Sequence, residues 1–296
     1  MIFKYLYQYA EIISLKIENR LCRKRGKSGG IIILAYHDVG YLPDDLQRNY
    51  IFNVHPDQFA RQMEILSEEK ISVISLNEAI EKMKYDELLE DLFLVITFDD
   101  GYHQFVDYAL PILERYNFPA TIFITTGFLD RKEPFPWLNE NYSFNLPVEA
   151  WYPLTFNDLK LLSQHPGIEI GSHSHNHLNL KKVSVDIFLE DVVRSLKILK
   201  ETVGKAVQFF SYPFSFFGSK NSWLMEQTMI EEELKKMGIK GICTTQIGVN
   251  RPNTNPFALK RIQIKNYDDE EIFRARTSGN LKILEKLQHF FRLIFD

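Results

Sequence analysis

Short apolar runs of strand type alternate with segments of helical periodicity along most of this 296-residue sequence. That alternation predicts an α/β protein built on a parallel sheet, open or closed into a barrel. Two further observations agree with it. The runs at 31–36 and 92–98 are continuously apolar, as buried strands are. His37, Asp99, Asp100, His173 and Pro213 each fall just past the end of a strand-like run. A parallel sheet gathers its functional residues at that rim.

Taken in order, 27–30 (Lys-Ser-Gly-Gly) reads as a linker closing an N-terminal helix, and 31–36 is the first strand. Phe59, Met63 and Leu66 give 57–69 a helical period. The β-branched 71–75 is a strand, 76–83 a helix, and 92–98 a strand. A helix at 108–116 leads to a strand at 120–126. Residues 130–153, rich in Pro, Asn and aromatics, read as an insertion loop. Then come a helix at 159–163, a strand at 168–172 and a long helix at 187–202. Strands at 207–212, 239–244 and 260–264 finish the pattern, with a helix at 225–237 among them. No internal repeat or low-complexity tract is present.

Composition narrows the function classes. The chain is 45% hydrophobic and 14% aromatic, enough for a large core, and its net charge of −4 argues against general nucleic-acid binding. Cys22 and Cys243 provide no disulfide framework and no thiolate zinc site. Lys4, Glu11, Lys16 and Glu18 interrupt every candidate signal-peptide core, and no run approaches the ~20 apolar residues of a membrane span. A cytoplasmic location is therefore expected. Both ends are nevertheless amphipathic. Ile2, Phe3, Leu6, Tyr9, Ile13 and Ile17 precede the basic cluster Arg20, Arg23, Lys24, Arg25 and Lys27. Leu284, Leu287, Phe290, Phe291 and Ile294 lie beside Lys282, Lys286 and Arg292. Such helices either lie peripherally in a membrane interface, here at its inner face, or pack on the domain. The expected organisation is an N-terminal basic amphipathic helix at 1–28, a catalytic domain at 29–270 and a C-terminal amphipathic helix at 271–296.

The chemistry rests on two motifs, Thr97-Phe98-Asp99-Asp100-Gly101 and Gly171-Ser172-His173-Ser174-His175-Asn176-His177. Read singly, Asp-Gly is a turn signal and a His pair belongs on a solvent-facing loop. Read together, each behind a buried strand, they form a metal site. One carboxylate (Asp100) and two imidazoles (His173, His177) hold a divalent ion and leave positions open for water and substrate. Asp99 is then free to act as base on that water. His175 lies between the ligands and points away. Zinc suits the donor set, and cobalt, nickel or iron would be accepted.

These motifs resemble the first two of the NodB-type polysaccharide deacetylases (carbohydrate esterase family four), and the likeness runs from about 31 to 264. Pro119-Ala120-Thr121-Ile122-Phe123 and Leu259-Lys260-Arg261-Ile262 also resemble family phrases. The resemblance implies a distorted parallel (β/α) barrel that removes acetyl groups from sugars with a divalent metal. It also implies Asp99 as base and Asp100, His173 and His177 as ligands.

Two departures need an answer. The family's third motif, typically Arg-x-Pro-Tyr, is here Ser211-Tyr212-Pro213-Phe214. The Arg that would orient the base is replaced by Ser211, and Arg261 is the candidate substitute. The Phe214 N–H remains available as oxyanion donor, with Tyr212 and Pro213 expected at the substrate. The aromatic-Pro-aromatic form resembles the poly-N-acetylglucosamine deacetylase branch. The usual late Leu-x-His is absent, since no His occurs between His177 and His289. His37, in Ala35-Tyr36-His37-Asp38-Val39, is the replacement as general acid in the branch resembled; a purely structural role is the alternative. Phe135, Trp137, Tyr142 and Trp151 are candidates for stacking on sugar rings, Trp137 foremost. The function so read is hydrolysis of the acetamide of an N-acetylated sugar in a polysaccharide or lipid-linked precursor. The alternatives are an esterase or deformylase acting on another acylated sugar, and a non-catalytic glycan-binding barrel.

Overall fold

The computed structural model describes residues 2–25, 28–42, 50–85, 90–141, 151–214 and 221–295. Its strands are β1 (Gly30–Tyr36), β2 (Asp38–Val39), β3 (Asn53–Val54), β4 (Ser72–Val73), β5 (Leu92–Phe98), β6 (Ala120–Ile124), β7 (Ile168–Ser172), β8 (Phe209–Ser211), β9 (Gly241–Cys243) and β10 (Ile262–Gln263). Its helices are α1 (Ile2–Arg25), α2 (Pro56–Glu68), α3 (Leu76–Tyr85), α4 (Leu110–Tyr116), α5 (Pro136–Asn141), α6 (Phe156–Gln164), α7 (Val185–Val203), α8 (Asn221–Lys236), α9 (Glu270–Arg276) and α10 (Lys282–Phe295).

The main sheet is parallel throughout, in the order β10-β1-β5-β6-β7-β8-β9, with β4 beside β5. β1 and β5 pair from Gly30 with Leu92 to Tyr36 with Phe98. β4 flanks the first part of β5 at Phe93 and Leu94; β6 flanks its last part at Ile96 to Phe98. The segment before β10 bridges the two edges of the curled sheet. The Leu259 N–H donates to Ile242 O on β9, and three residues later Ile262 pairs with Leu34 on β1. This is the distorted parallel barrel that the resemblance implied.

Side-chain alternation along the strands divides the core. Ile32 and Leu34 of β1 face outward, in one cluster with Phe59, Met63 and Leu66 of α2. Ile31 and Ile33 face inward, with Val95, Phe123, Phe209, Cys243 and Leu259. Leu76, Ala79 and Met83 of α3 belong to that inner cluster and close one end of the barrel. Glu169, on the inner face of β7, receives the Leu76 N–H at 2.9 Å and the Thr121 hydroxyl at 2.8 Å, fastening α3 there. The same period-two count carries the inner face of β5 from Val95 through Thr97 to Asp99, and of β7 from Glu169 through Gly171 to His173. The site therefore occupies the opposite end.

Several expected strands are shorter than the sequence implies. Those read at 71–75, 207–212, 239–244 and 260–264 keep only two or three laddered residues. Their outer residues leave the ladder as the sheet curls, although Tyr212 N–H still donates to Cys243 O. α5 forms inside the segment read as a loop. The stretch after 269 contains two helices rather than one. α1 packs across both: Glu11 is buried against Lys265 and Arg276, and Glu18 accepts the Ile283 N–H. No described helix is long and apolar enough to cross a membrane.

Candidate active site

Asp99 and Asp100 follow β5 directly. The Asp99 N–H is held by Tyr36 O at 2.9 Å, which fixes the exit of the strand. Asp100 then takes φ 73° and Gly101 φ 89°. Two successive left-handed residues turn the chain sharply, and the second is glycine because a Cβ is strained there. The turn sends the two neighbouring carboxylates to different partners.

Asp100 Oδ1 lies 3.4 Å from His173 Nε2 and 3.3 Å from His177 Nε2. All three side chains are nearly inaccessible, and Asp100 Oδ1 accepts no hydrogen bond. His173 Nδ1 lies 2.8 Å from Ser211 O, so the proton sits on Nδ1 and the Nε2 lone pair faces Asp100. Ligands ~2.0–2.1 Å from a tetrahedral zinc are separated by about 3.3–3.4 Å. The residues present therefore fit a divalent metal, and an orphaned buried carboxylate oxygen between two imidazoles has no other evident role. Burial alone would raise the Asp100 pKa; the imidazoles outweigh it and hold the carboxyl well below the usual range.

The His loop is held by a residue that the sequence reading missed. Asp191, buried on α7, receives the N–H groups of His175 (2.7 Å) and Asn176 (3.0 Å) and the Asn176 side-chain amide (2.6 Å). Ser174 Oγ accepts the His177 N–H at 3.0 Å. His175 turns to Thr126 Oγ1, away from the ligand cluster, as expected. The loop passes so close to Gly127 that a Cβ there would lie 2.5 Å from His175 O. Asp191 shares one helix face with the buried Phe188, Val192 and Ser195. An acid on an otherwise core-facing stripe was the available signal.

Asp99 meets Arg261 instead. Arg261 Nη1 and Nη2 each donate to one carboxylate oxygen at 2.7 Å. The guanidinium also donates to Ser211 Oγ (2.9 Å), Thr97 Oγ1 (3.3 Å) and Thr244 O (2.9 Å). The bidentate fork on Asp99 comes from Arg261, just before β10, while Ser211 keeps only an acceptor for it. Burial pushes the Asp99 pKa up, but the Arg261 charge prevails and holds it below the usual carboxylate value.

His37 directly follows β1 with its ring stacked on Phe52 (centroids 4.7 Å apart), and its buried Nδ1 has no hydrogen-bond partner. Burial lowers its pKa, against the opposing pull of Asp100 and Asp99. Phe214 stands at φ 58° with its ring 4.6 Å from that of His177. Trp137 stacks on the same imidazole, centroids 4.1 Å apart and planes at 26°. Four of the eight non-glycine residues with positive φ among those described are Asp100, Ser174, His177 and Phe214. Such strain collects where surrounding contacts impose a functional geometry.

Other expected substrate residues stand elsewhere. Tyr212 is buried, stacked on Phe188 and edge-to-face with Phe210, because the residue after β8 still points to the outer cluster. Pro213, the residue before Phe214, is buried. Phe135 and Trp151 are core residues beside Tyr50 and Tyr102. Tyr142 lies outside the described residues. Cys243 is a free buried thiol whose pKa burial pushes up to about 12.

Comparison with known proteins assigns the class. Residues 89–239 match the family model described as polysaccharide deacetylase, just over half of the chain. The chain belongs to that family, whose members are hydrolases. The Bacillus subtilis (strain 168) protein YxkH is 24% identical over 241 residues, covering 81% of this chain and 74% of that one. The poly-beta-1,6-N-acetyl-D-glucosamine N-deacetylase of Staphylococcus aureus (strain MSSA476) is 25% identical over 231 residues, 75% of this chain and 71% of its own. Among solved structures, IcaB from Ammonifex degensii superposes with a TM-score of 0.67 at 20% identity, covering 85% of this chain and 98% of that chain.

Proposed function

We propose that this chain is a metal-dependent N-deacetylase that hydrolyses the acetamide of an N-acetylated sugar, in a polysaccharide or in a lipid-linked glycan precursor. One observation carries the reading: adjacent carboxylates turned to different partners, Asp100 to two imidazoles and Asp99 to a guanidinium. The name of the S. aureus relative supports an N-acetylglucosamine polymer as the substrate class.

Asp100, His173 and His177 would hold the ion, most suitably zinc, which when bound supplies Lewis acidity toward a water and the acetyl carbonyl. Asp99 takes the proton from the attacking water. The Arg261 fork fixes the carboxylate's orientation and keeps it ionised. The Phe214 N–H donates to the oxyanion that forms as water adds to the carbonyl carbon. His37 delivers a proton to the sugar nitrogen as the C–N bond breaks, leaving acetate and a free amine. Trp137, half-buried and stacked on both His177 and Phe135, would border the sugar and fix the His177 ring rather than offer a free face for stacking.

The test is acetate release from N-acetylglucosamine oligomers and lipid-linked N-acetyl sugars, with zinc-loaded and chelator-stripped protein. Release that requires metal, and that Asp99→Asn abolishes while its metal content stays unchanged, is the expected result. Release that survives chelation, or strong residual turnover in Asp99→Asn, overturns the assignment. A preference for acyl esters over matched amides would make the enzyme an esterase.

A further inference from the structure

α1 is amphipathic in the inverted sense. Its inward face carries Glu11, Ser14, Leu15, Glu18 and Asn19, all buried. Its outward face carries Leu6, Tyr9, Ile13, Ile17 and Leu21, between 40% and 68% exposed. At ~100° per residue these five fall on one stripe about 22 Å long. Among the described residues, no other helix carries so long a run of large exposed apolar side chains; Met225 and Met229 on α8 form a pair, and Phe290 on the neighbouring α10 adjoins the stripe. A contiguous apolar strip of this kind marks an interaction surface.

The helix cannot roll over to hide the strip. Glu11 accepts from Lys265 Nζ at 2.5 Å, Arg276 Nη2 at 3.0 Å and the Tyr267 hydroxyl at 3.1 Å. Glu18 receives the Ile283 N–H at 2.5 Å. Rotating α1 would strip two buried cations of their shared anion, a large cost. The inward anchors thus hold the apolar face outward.

Charge selects the occupant. Residues 1–27 contain seven basic residues and two acidic ones, in a chain whose net charge is −4. Both acids, Glu11 and Glu18, point inward, whereas Arg20 on α1 and Lys282 and Lys286 on α10 are exposed. A second copy of this chain would bring two such basic rims to one seam with no acid from α1 to pair them. An anionic bilayer surface complements both features, taking the apolar stripe among the headgroups and the cations at the phosphates. We propose that the outward face of α1, with the adjoining exposed face of α10, docks this protein onto an anionic lipid surface. Docking leaves the fold unchanged, because the face is already presented.

Flotation of the full-length protein with phosphatidylcholine vesicles, with and without phosphatidylglycerol, tests this. Binding about tenfold stronger to the anionic vesicles, weakening with added salt, is the expected result. Ile13→Glu with Ile17→Glu should abolish flotation while acetate release from soluble oligomers is unchanged, since both side chains are exposed. Leu6→Gln with Tyr9→Gln should give the same loss from the other end of the stripe. Acetate release is read on the same samples, so failure to bind lipid is distinguishable from failure of the catalytic reading. The proposal is overturned if the parent binds neither vesicle, or if both double variants float as well as the parent. It is also overturned if the parent is a dimer that Ile13→Glu with Ile17→Glu dissociates, which would give the face to a second copy.

Discussion

Arg261 donates to both oxygens of Asp99 and spends its remaining donors on Ser211, Thr97 and Thr244. Every N–H bond seen from the guanidinium thus serves to aim one carboxylate. A lysine keeps the charge but offers a single point donor in place of a planar fork. Arg261→Lys should therefore lower kcat by about 10²-fold through misplacement of the base. Metal content should stay unchanged, because Arg261 bonds none of Asp100, His173 or His177. Weaker pairing lets burial raise the Asp99 pKa, so the acidic limb of the kcat/KM profile should move to higher pH. A loss of turnover without movement of that limb would make Arg261 structural only. At this scale the sequence was most readable where neighbours on the chain are also neighbours in the site, as in Asp99-Asp100 and His173-x-x-x-His177. Arg261 was legible as a substitute only because an empty role was looking for one. Its partners Thr97 on β5, Ser211 on β8 and Thr244 just after β9 come from three separate stretches of chain, and no local spacing encodes that.

Elements were legible in proportion to how far one period persisted. β1, β5 and α7 stand close to where apolar runs and helical spacing place them, because long buried stretches have few alternatives. The two-residue pair of β2 and β3 was not legible, since two residues carry no period and their pairing depends on the fold around them. Tyr212 illustrates another limit. An aromatic-Pro-aromatic phrase at a strand end looks substrate-facing, but strand alternation turns Tyr212 toward Phe188. Asp191 is the element-scale counterpart of Arg261, tying the loop 173–177 to α7 through three donors. In Asp191→Asn an amide NH2 replaces one of the accepting oxygens and faces N–H groups. The loop should loosen and metal affinity fall about 10- to 100-fold, the usual range for a group that orients ligands. Competition against a chelator of known affinity measures this, with circular dichroism confirming the fold. Unchanged affinity would show that the loop holds its shape without α7.

For the whole molecule, the seam between α1 and the barrel makes stability depend on pH in two opposite ways. Glu11 is pulled from 4.5 down to about 2, because Arg276 and Lys265 outweigh its burial. It stabilises the fold above 4.5 and loses that contribution as pH falls toward 2. Glu18 is pushed by burial from 4.5 up to about 7, with the Ile283 N–H only partly opposing. The folded state then holds a proton that the unfolded state releases, so stability declines as pH rises from 4.5 through 7. Glu18→Gln retains an oxygen for the Ile283 N–H and removes the charge. Its melting temperature should match the parent below pH 4.5 and exceed it above pH 7, the gap opening between the two. Glu11→Gln should do the reverse, costing about 3–5 kcal/mol at neutral pH because two buried cations lose their shared anion. That cost should shrink as acid protonates the parent. Thermal melts of the three proteins across this range decide the matter. A Glu18→Gln curve parallel to the parent would mean that solvent reaches this seam and that α1 is held by Glu11 and its apolar contacts instead.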